Sequence, residues 1–325
     1  MSGIEWRPTA NWQAMKERAE MQQCIRAFFA KRQVLEVETP ILARAGVTDV
    51  HLHNVVTRLQ GPGMPEPENF YLQTSPEYAM KRLLAAGSGP IFQICKVVRD
   101  DEISRRHNPE FSMLEWYRPG FDDNALMAEL SSLVQEILGC EPAEYLTYQQ
   151  AFVQILNIDP LQSDAKSELL GALAASGHAN AVSNEDSLDT ILQLAMSVLI
   201  EPKIGQTRPC FVSHFPASQA ALARIVQEDS RVSHRFELFY RGLELANGFW
   251  ELTDAQQQRG RFLADNLERE RLGLLKQPID ERFLAALEHG LPDCSGVAVG
   301  LDRLLMLRLG VNDIADILTF PVGRA

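Results

Sequence analysis

With 325 residues, 46% of them apolar and 23% charged, the chain is long enough to bury a full core as one large domain or two small ones. Thirty-one Lys and Arg against 43 Asp and Glu leave a net charge of −12, which excludes whole-body attraction to a nucleic acid backbone, so any polyanion has to meet a local basic site. The opening MSGIEWRPTANWQ lacks a basic segment followed by an apolar core, and no apolar run approaches the roughly 20 residues of a spanning helix, so a cytoplasmic protein with no membrane partner is expected. Cys24, Cys95, Cys140, Cys210 and Cys294 are odd in number and widely scattered, without a C-x-x-C pair. They read as reduced core thiols rather than a disulfide framework or a zinc site.

In chain order, residues 11–32 place Met21, Ile25, Phe28 and Phe29 at helical spacing behind Asn11, a capping residue, and predict an amphipathic helix. VLEVETPIL follows as a short strand that Pro40 ends. In NFYLQTSPEYAMKRLLAAGSG a strand runs into Ser75 as N-cap and Pro76 as first helical residue, and Gly87 closes the helix, so Glu77 lies in its first turn. GPIFQICKVV and FSMLEWYRP read as strands joined by a long charged hairpin loop, RDDEISRRHNPE. From about 121 to 210 the pattern turns helical, with Leu126, Leu130, Leu133, Val134 and Ile137 at helical spacing, and reads as a helical insertion without chemistry. Strands return at CFVSHFP, RFELFY and LELANGFWEL; one helix then precedes GVAVG and another follows it. This order predicts an α+β fold, a mainly antiparallel sheet flanked by helices.

Four segments hold more polar residues than a fold requires. Arg99 ends one strand, and Phe111, Met113, Glu115 and Tyr117 share a face of the next by period-two alternation; the plain alternative is a solvated face under a charged loop. Glu237, Glu244 and Glu251 stand seven residues apart. Seven is odd, so a regular strand would send Glu244 and Glu251 to opposite faces, and a bulge at Asn247-Gly248 is expected to bring them together. Such carboxylates repel unless a cation sits between them, which points to a divalent metal or an ammonium ligand, or else they pair with surface lysines. In TSPEY a carboxylate at a helix start could meet an amine or serve only the helix. In SGVAVGLDRL, glycines permit close approach and Arg303 adds a cation to a helix start, although a tightly packed turn would look the same.

Taken together, two arginines, an aromatic platform, a metal-capable glutamate pair and amine-binding carboxylates are what nucleotide activation of an amino acid requires. The wording resembles the class II aminoacyl-tRNA synthetases, in particular the lysyl branch: VETPIL is similar to its motif 1, RDDEISRRHNPEF with LEWY to motif 2, RGLELANGFWELTDA to the metal and lysine segment, and SGVAVGLDRL to motif 3. Motif 1 begins within about 36 residues of the start, so no anticodon-binding domain is expected. The shortened layout, with HFPASQA, resembles the lysine ligases of this branch that act on elongation factor P, a tRNA-shaped protein.

The resemblance implies a single class II catalytic domain over residues 1–325, ATP as substrate, Mg²⁺ as cofactor, lysine or β-lysine as the activated acid, elongation factor P as acceptor, and a homodimer built on motif 1. Arg99 and Arg303 would be catalytic. ATP would meet Arg99, Asp100, Asp101, Asn108, Phe111, Glu244, Leu245, Gly300 and Arg303, with Phe111 stacked on adenine. The amino acid would meet Ser75, Pro76, Glu77, Glu115, Tyr117, Asn247, Glu251 and Ala298, with Glu77 on the α- or β-amino group and Tyr117 with Glu251 on the distal ammonium. Glu237 and Glu244 would bind the metal. Two departures stand out: Arg99-Asp100-Asp101-Glu102 replaces the family's R-x-E, leaving Asp101 or Glu102 to read adenine, and Ala298 replaces a glycine of motif 3. A minimal lysyl-tRNA synthetase and a non-catalytic paralogue are the alternatives; transfer to tRNA is not expected.

Overall fold

The computed structural model describes residues 5–100 and 103–325. In chain order its elements begin with α1 (Trp12–Ala30), β1 (Leu35–Glu36), β2 (Leu42–Ala43), β3 (Val56–Gly61), β4 (Met64–Leu72), α2 (Glu77–Ala85), β5 (Ile91–Val98) and β6 (Glu110–Pro119). They continue with α3 (Asp123–Leu138), β7 (Glu144–Thr147), α4 (Tyr148–Leu156), α5 (Ala165–Ala175), α6 (Leu188–Ala195), β8 (Cys210–Ser213), β9 (Arg235–Tyr240) and β10 (Leu243–Trp250). The last are α7 (Ala255–Arg271), α8 (Glu281–Gly290), β11 (Cys294–Gly300) and α9 (Leu301–Leu309). Two compact units result: Met1–Gly120 with Thr253–Ala325, and Phe121–Leu252.

In the first unit β1, β5, β6 and β11 lie side by side in that order, β1 parallel to β5 and the other pairs antiparallel. Beside them a three-stranded antiparallel sheet is ordered β2-β4-β3. Helix α1 starts as its sequence dictates: the Asn11 side chain accepts from the Ala14 N–H at 2.9 Å, and Met21, Ile25, Phe28 and Phe29 are fully buried. Phe29 stacks on Phe92 of β5 at 4.5 Å and meets Trp116 of β6 edge-on at 5.3 Å. Each such side chain contributes about 1.5–3 kcal/mol through burial. Because Phe92 pairs across the ladder with Trp116, this core occupies the even-numbered face of β6. The odd-numbered residues are left for the opposite face.

Asp302 fixes the start of α9 to that frame. Arg18 donates to its Oδ1 at 2.5 Å and the Ser112 N–H to its Oδ2 at 2.7 Å, with Asp302 buried. Hydrogen bonds to a charged group contribute roughly 1.5–3 kcal/mol, so Arg303, the next residue, is held in a set position.

In the second unit the strand order is β10, β9, β8, β7, and only β7 and β8 run parallel. Arg241 and Gly242 form the two-residue turn between β9 and β10, with φ of +50° and +71°, the backbone that matches strand twist. Tyr148, Phe152, Phe211 and Phe239 are buried in this unit.

An α+β fold with mainly antiparallel strands is thus observed. Four local expectations need correction, the first being that two helices, α7 and α8, precede β11 where one was expected. Pro76 is the N-cap of α2, which begins at Glu77, while the Ser75 hydroxyl still accepts the Glu77 N–H at 3.1 Å. VLEVETPIL contributes only the two-residue strand β1 and the first residue of β2. The 121–210 stretch contains β7, whose Glu144 pairs with Cys210 of β8; a four-residue strand is too short for periodicity to reveal. The five cysteines form no disulfide, but only Cys210 and Cys294 are buried in a core; Cys24, Cys95 and Cys140 are half-buried. Among the described residues no helix is long and apolar enough to cross a membrane.

Candidate active site

In the first unit, the odd-numbered face of β6 presents Phe111, Met113, Glu115 and Tyr117. Register places Ala298 of β11 directly opposite Glu115, Gly296 opposite Tyr117 and Gly300 opposite Met113, and Gln93 of β5 opposite Glu115 on the other side. Cross-strand partners share a face, so two of the smallest residues available, Gly296 and Ala298, border the phenol and the carboxylate, and a third, Gly300, borders Met113. Glu115 is 2% exposed. Tyr117 donates from its hydroxyl to Oε1 at 2.6 Å, and Ser75 donates to Oε2 at 2.7 Å. Burial first and the Glu77 charge second push the Glu115 carboxyl up to about 7, against the two hydroxyls and Lys81. A desolvated carboxyl poised there gains most from an ammonium.

Glu77 stands in the first turn of α2, where the helix end favours negative charge. Lys81, one turn on, donates from Nζ to Glu77 Oε1 at 2.6 Å. Arg99 follows β5: its N–H donates to the Pro109 carbonyl at 2.8 Å and its Nε to the Thr74 carbonyl at 3.3 Å. Its guanidinium lies 5.1 Å from the centre of the Phe111 ring, a cation–π contact that sets cation and ring side by side. The Asp100 N–H donates to the His53 carbonyl at 2.9 Å. Asp101 and Glu102, the two candidates for reading adenine, lie outside the described residues.

Arg303, in the first turn of α9, donates to His107 Nε2 at 2.6 Å. Arginine cannot accept, so Nε2 is the bare nitrogen, and in neutral His107 the proton sits on Nδ1, 2.8 Å from Ser104 Oγ. The hairpin loop thereby reaches the motif 3 arginine. Gly300 precedes α9, and a Cβ added there would meet only the Arg303 side chain, at 3.8 Å. Asn108 is buried, with its amide nitrogen donating to the Glu110 carbonyl at 2.6 Å and its Oδ1 accepting from the Val322 N–H at 2.9 Å. Both ends of that carboxamide are engaged with backbone.

In the second unit the predicted bulge exists, but elsewhere. Glu244 pairs with Phe239 and Ala246 with Leu238, so Leu245 is the extra residue, and Asn247 and Gly248 stay in register opposite Glu237 and Phe236. The parity argument survives the move: Glu237, Glu244 and Asn247 share one face, and alternation carries Glu251 onto it. Gly248 serves a different purpose, because a Cβ there would lie 2.3 Å from the Phe236 ring. The glycine admits an aromatic side chain, not a kink.

Glu237 is 8% exposed and receives Arg235 at 2.5 Å. Burial, opposed by Arg235 and reinforced by Glu244, pushes its carboxyl up to about 7. Arg235 also donates to Asn247 Oδ1 at 3.3 Å. Glu251, 1% exposed, has its backbone clamped: Arg224 donates from Nε to the Glu251 carbonyl at 3.1 Å and from its N–H to the Trp250 carbonyl at 3.0 Å. Two carboxylates on one face, one of them raised by the other, fit a divalent cation. Oxygen-only ligation by one or two carboxylates, completed by phosphates, is how Mg²⁺ binds; among the described residues no three His, Cys, Asp or Glu converge as a closed cage.

Lys81, His107 and Arg235 were not assigned from sequence. Each had a signal: Lys81 falls four residues after Glu77 on an otherwise apolar helix face, Arg235 two before Glu237 on one strand face, and His107 beside Asn108.

The family model for class II tRNA synthetases (D, K and N) matches residues 3–324. The elongation factor P–(R)-β-lysine ligases of Salmonella typhi and Salmonella dublin are each 54% identical to the chain over 320 residues, 98% of this chain and 98% of their own.

Proposed function

Because the chain belongs to the class II tRNA synthetases of the D, K and N group, we propose that it activates lysine, preferentially the β isomer, with ATP and transfers it to a lysine side chain of elongation factor P. The observation that carries this reading is 54% identity, nearly end to end, to ligases named for that acid and that acceptor. In the first half-reaction the amino acid carboxylate attacks the α-phosphorus of ATP and pyrophosphate leaves. In the second, the ε-amine of the acceptor attacks the adenylate carbonyl, and AMP leaves as the amide forms. Little covalent work falls to the protein; fixed charge and orientation do the rest.

Arg99 holds the α-phosphate, where negative charge builds as the phosphorus is attacked, and Phe111 stacks on adenine. Arg303 takes the other adenine face and the γ-phosphate, replacing His107 as its neighbour. Glu77 holds the α- or β-amino group, and Ser75 with Tyr117 keeps Glu115 oriented as part of the amine-binding face. Glu251 holds the distal ammonium. Glu237 and Glu244 would hold Mg²⁺, whose chemistry is to neutralise phosphate charge. The enzyme works in the cytoplasm as a C2 homodimer, which light scattering would report as twice the chain mass.

Ala298, opposite Glu115, sets the isomer preference. A methyl in a filled pocket costs about 1–3 kcal/mol, which disfavours an α-amino pose and spares an amine one carbon away. Ala298→Gly is therefore expected to raise α-lysine activation relative to β-lysine by roughly 5- to 150-fold, the same energy as a rate ratio. Pyrophosphate exchange driven by each isomer measures this ratio and also tests the function itself: exchange by neither isomer in the native chain would contradict the proposal.

A further inference from the structure

Lys81 has no part in the chemistry above, yet its side chain is 1% exposed. Enclosing an ammonium is costly unless it is paired. Its Nζ donates to Glu77 Oε1 at 2.6 Å and lies 5.8 Å from the centre of the Phe283 ring on α8. The Glu77 N–H donates to Ser75 Oγ, which donates onward to Glu115 Oε2. Lys81, Glu77, Ser75 and Glu115 are thus one connected group, in which the Lys81 ammonium bonds Glu77 and its charge opposes the rise of the Glu115 carboxyl.

We propose that Lys81 is a positioning residue for amine recognition: its ammonium takes one oxygen of Glu77, fixes that carboxylate in the first turn of α2, and leaves the second oxygen for the substrate's α- or β-amino group. The inference rests on the reading of Glu77 as the contact for that amine. Positioning outweighs competition between the two ammoniums for a physical reason. Burial and the Glu77 charge already push the Glu115 carboxyl up to about 7 against the opposing Lys81 charge, so without Lys81 that carboxyl is driven further toward its neutral form. Glu77, with 17% of its side chain exposed, would be drawn toward water. Either change removes the ion pair that the substrate amine needs.

The test compares β-lysine with 6-aminohexanoate, which keeps the carboxylate and the distal ammonium and lacks the amine in question. The KM for β-lysine and the inhibition constant of 6-aminohexanoate are measured by pyrophosphate exchange in the full chain. Lys81→Met is expected to raise the β-lysine KM about tenfold or more, the worth of a charge-assisted hydrogen bond. It should leave the KM for ATP and the inhibition constant unchanged, and Lys81→Arg should retain the preference. An equal rise for both ligands, as a merely structural lysine would give, overturns the inference, as does no rise or a tighter β-lysine KM. If Lys81→Met does not fold, the charge-balanced double variant Lys81→Met with Glu77→Gln decides: a β-lysine loss equal to that of Glu77→Gln alone supports coupling, and a larger loss overturns it. Glu77→Gln that leaves the β-lysine KM unchanged would refute the reading of Glu77; a rise in Glu77→Gln with Lys81→Met silent would refute the role of Lys81 alone.

Discussion

Arg99→Ala is expected to lower kcat for lysine-dependent ATP–pyrophosphate exchange by roughly 10²- to 10³-fold, the range seen when one preorganised donor to developing charge is removed. The expectation rests on how this side chain is held. Its backbone closes the β5–β6 hairpin onto Pro109, its Nε is anchored on the Thr74 carbonyl, and its guanidinium lies against Phe111. Such a cation needs no reorganisation when the α-phosphorus gains negative charge. Arg99→Lys should recover little, because an ammonium cannot keep the Thr74 anchor and bind phosphate in the same planar geometry. Since Phe111 leans on the guanidinium, the KM for ATP should rise as well. A loss in kcat below about tenfold would remove Arg99 from the role of charge stabiliser.

Glu251→Gln is expected to reduce kcat/KM for β-lysine by about 3–5 kcal/mol, roughly 150- to 5,000-fold, without changing the KM for ATP. The side chain is almost fully enclosed and its backbone is fixed on both sides by the 222–224 segment, so it cannot move out to water when its cation is absent. An ion pair in such surroundings discriminates strongly, since placing an uncharged side chain against a desolvated carboxylate forfeits a strong charge–charge attraction. Norleucine, which lacks the distal ammonium, should be rejected by the native enzyme and discriminated far less by the variant. A variant that keeps the native preference for lysine over norleucine would show that Glu251 has a structural role only.

How much of this was legible in the sequence differs by segment. The α1 core and the β5–β6 hairpin were readable because long apolar periods and β-branched runs dominate local structure there. Parity alone would have put Glu244 and Glu251 on opposite faces, so their sharing one depended on the expected bulge, which exists. The position itself did not follow: Gly248 was the obvious candidate, but only the packed fold reveals that the Phe236 ring lies where its Cβ would be. Strand β7 escaped because four residues carry no usable period. The pairing of Lys81 with Glu77 was visible as an i, i+4 spacing, yet spacing cannot distinguish an exposed helical pair from a buried one. Cross-strand register was likewise hidden, so Ala298 could be recognised as a departure in motif 3 but not as the residue opposite Glu115.

The central claim is the identity of the acceptor, and a competition measures it most directly. Labelled β-lysine is offered with ATP to the full chain in the presence of both tRNA and unmodified elongation factor P, and the two acceptors are then separated and counted. The account predicts label in amide linkage to a lysine side chain of elongation factor P, dependent on ATP, with none above background on tRNA. Label on tRNA with the protein left unmodified would contradict it.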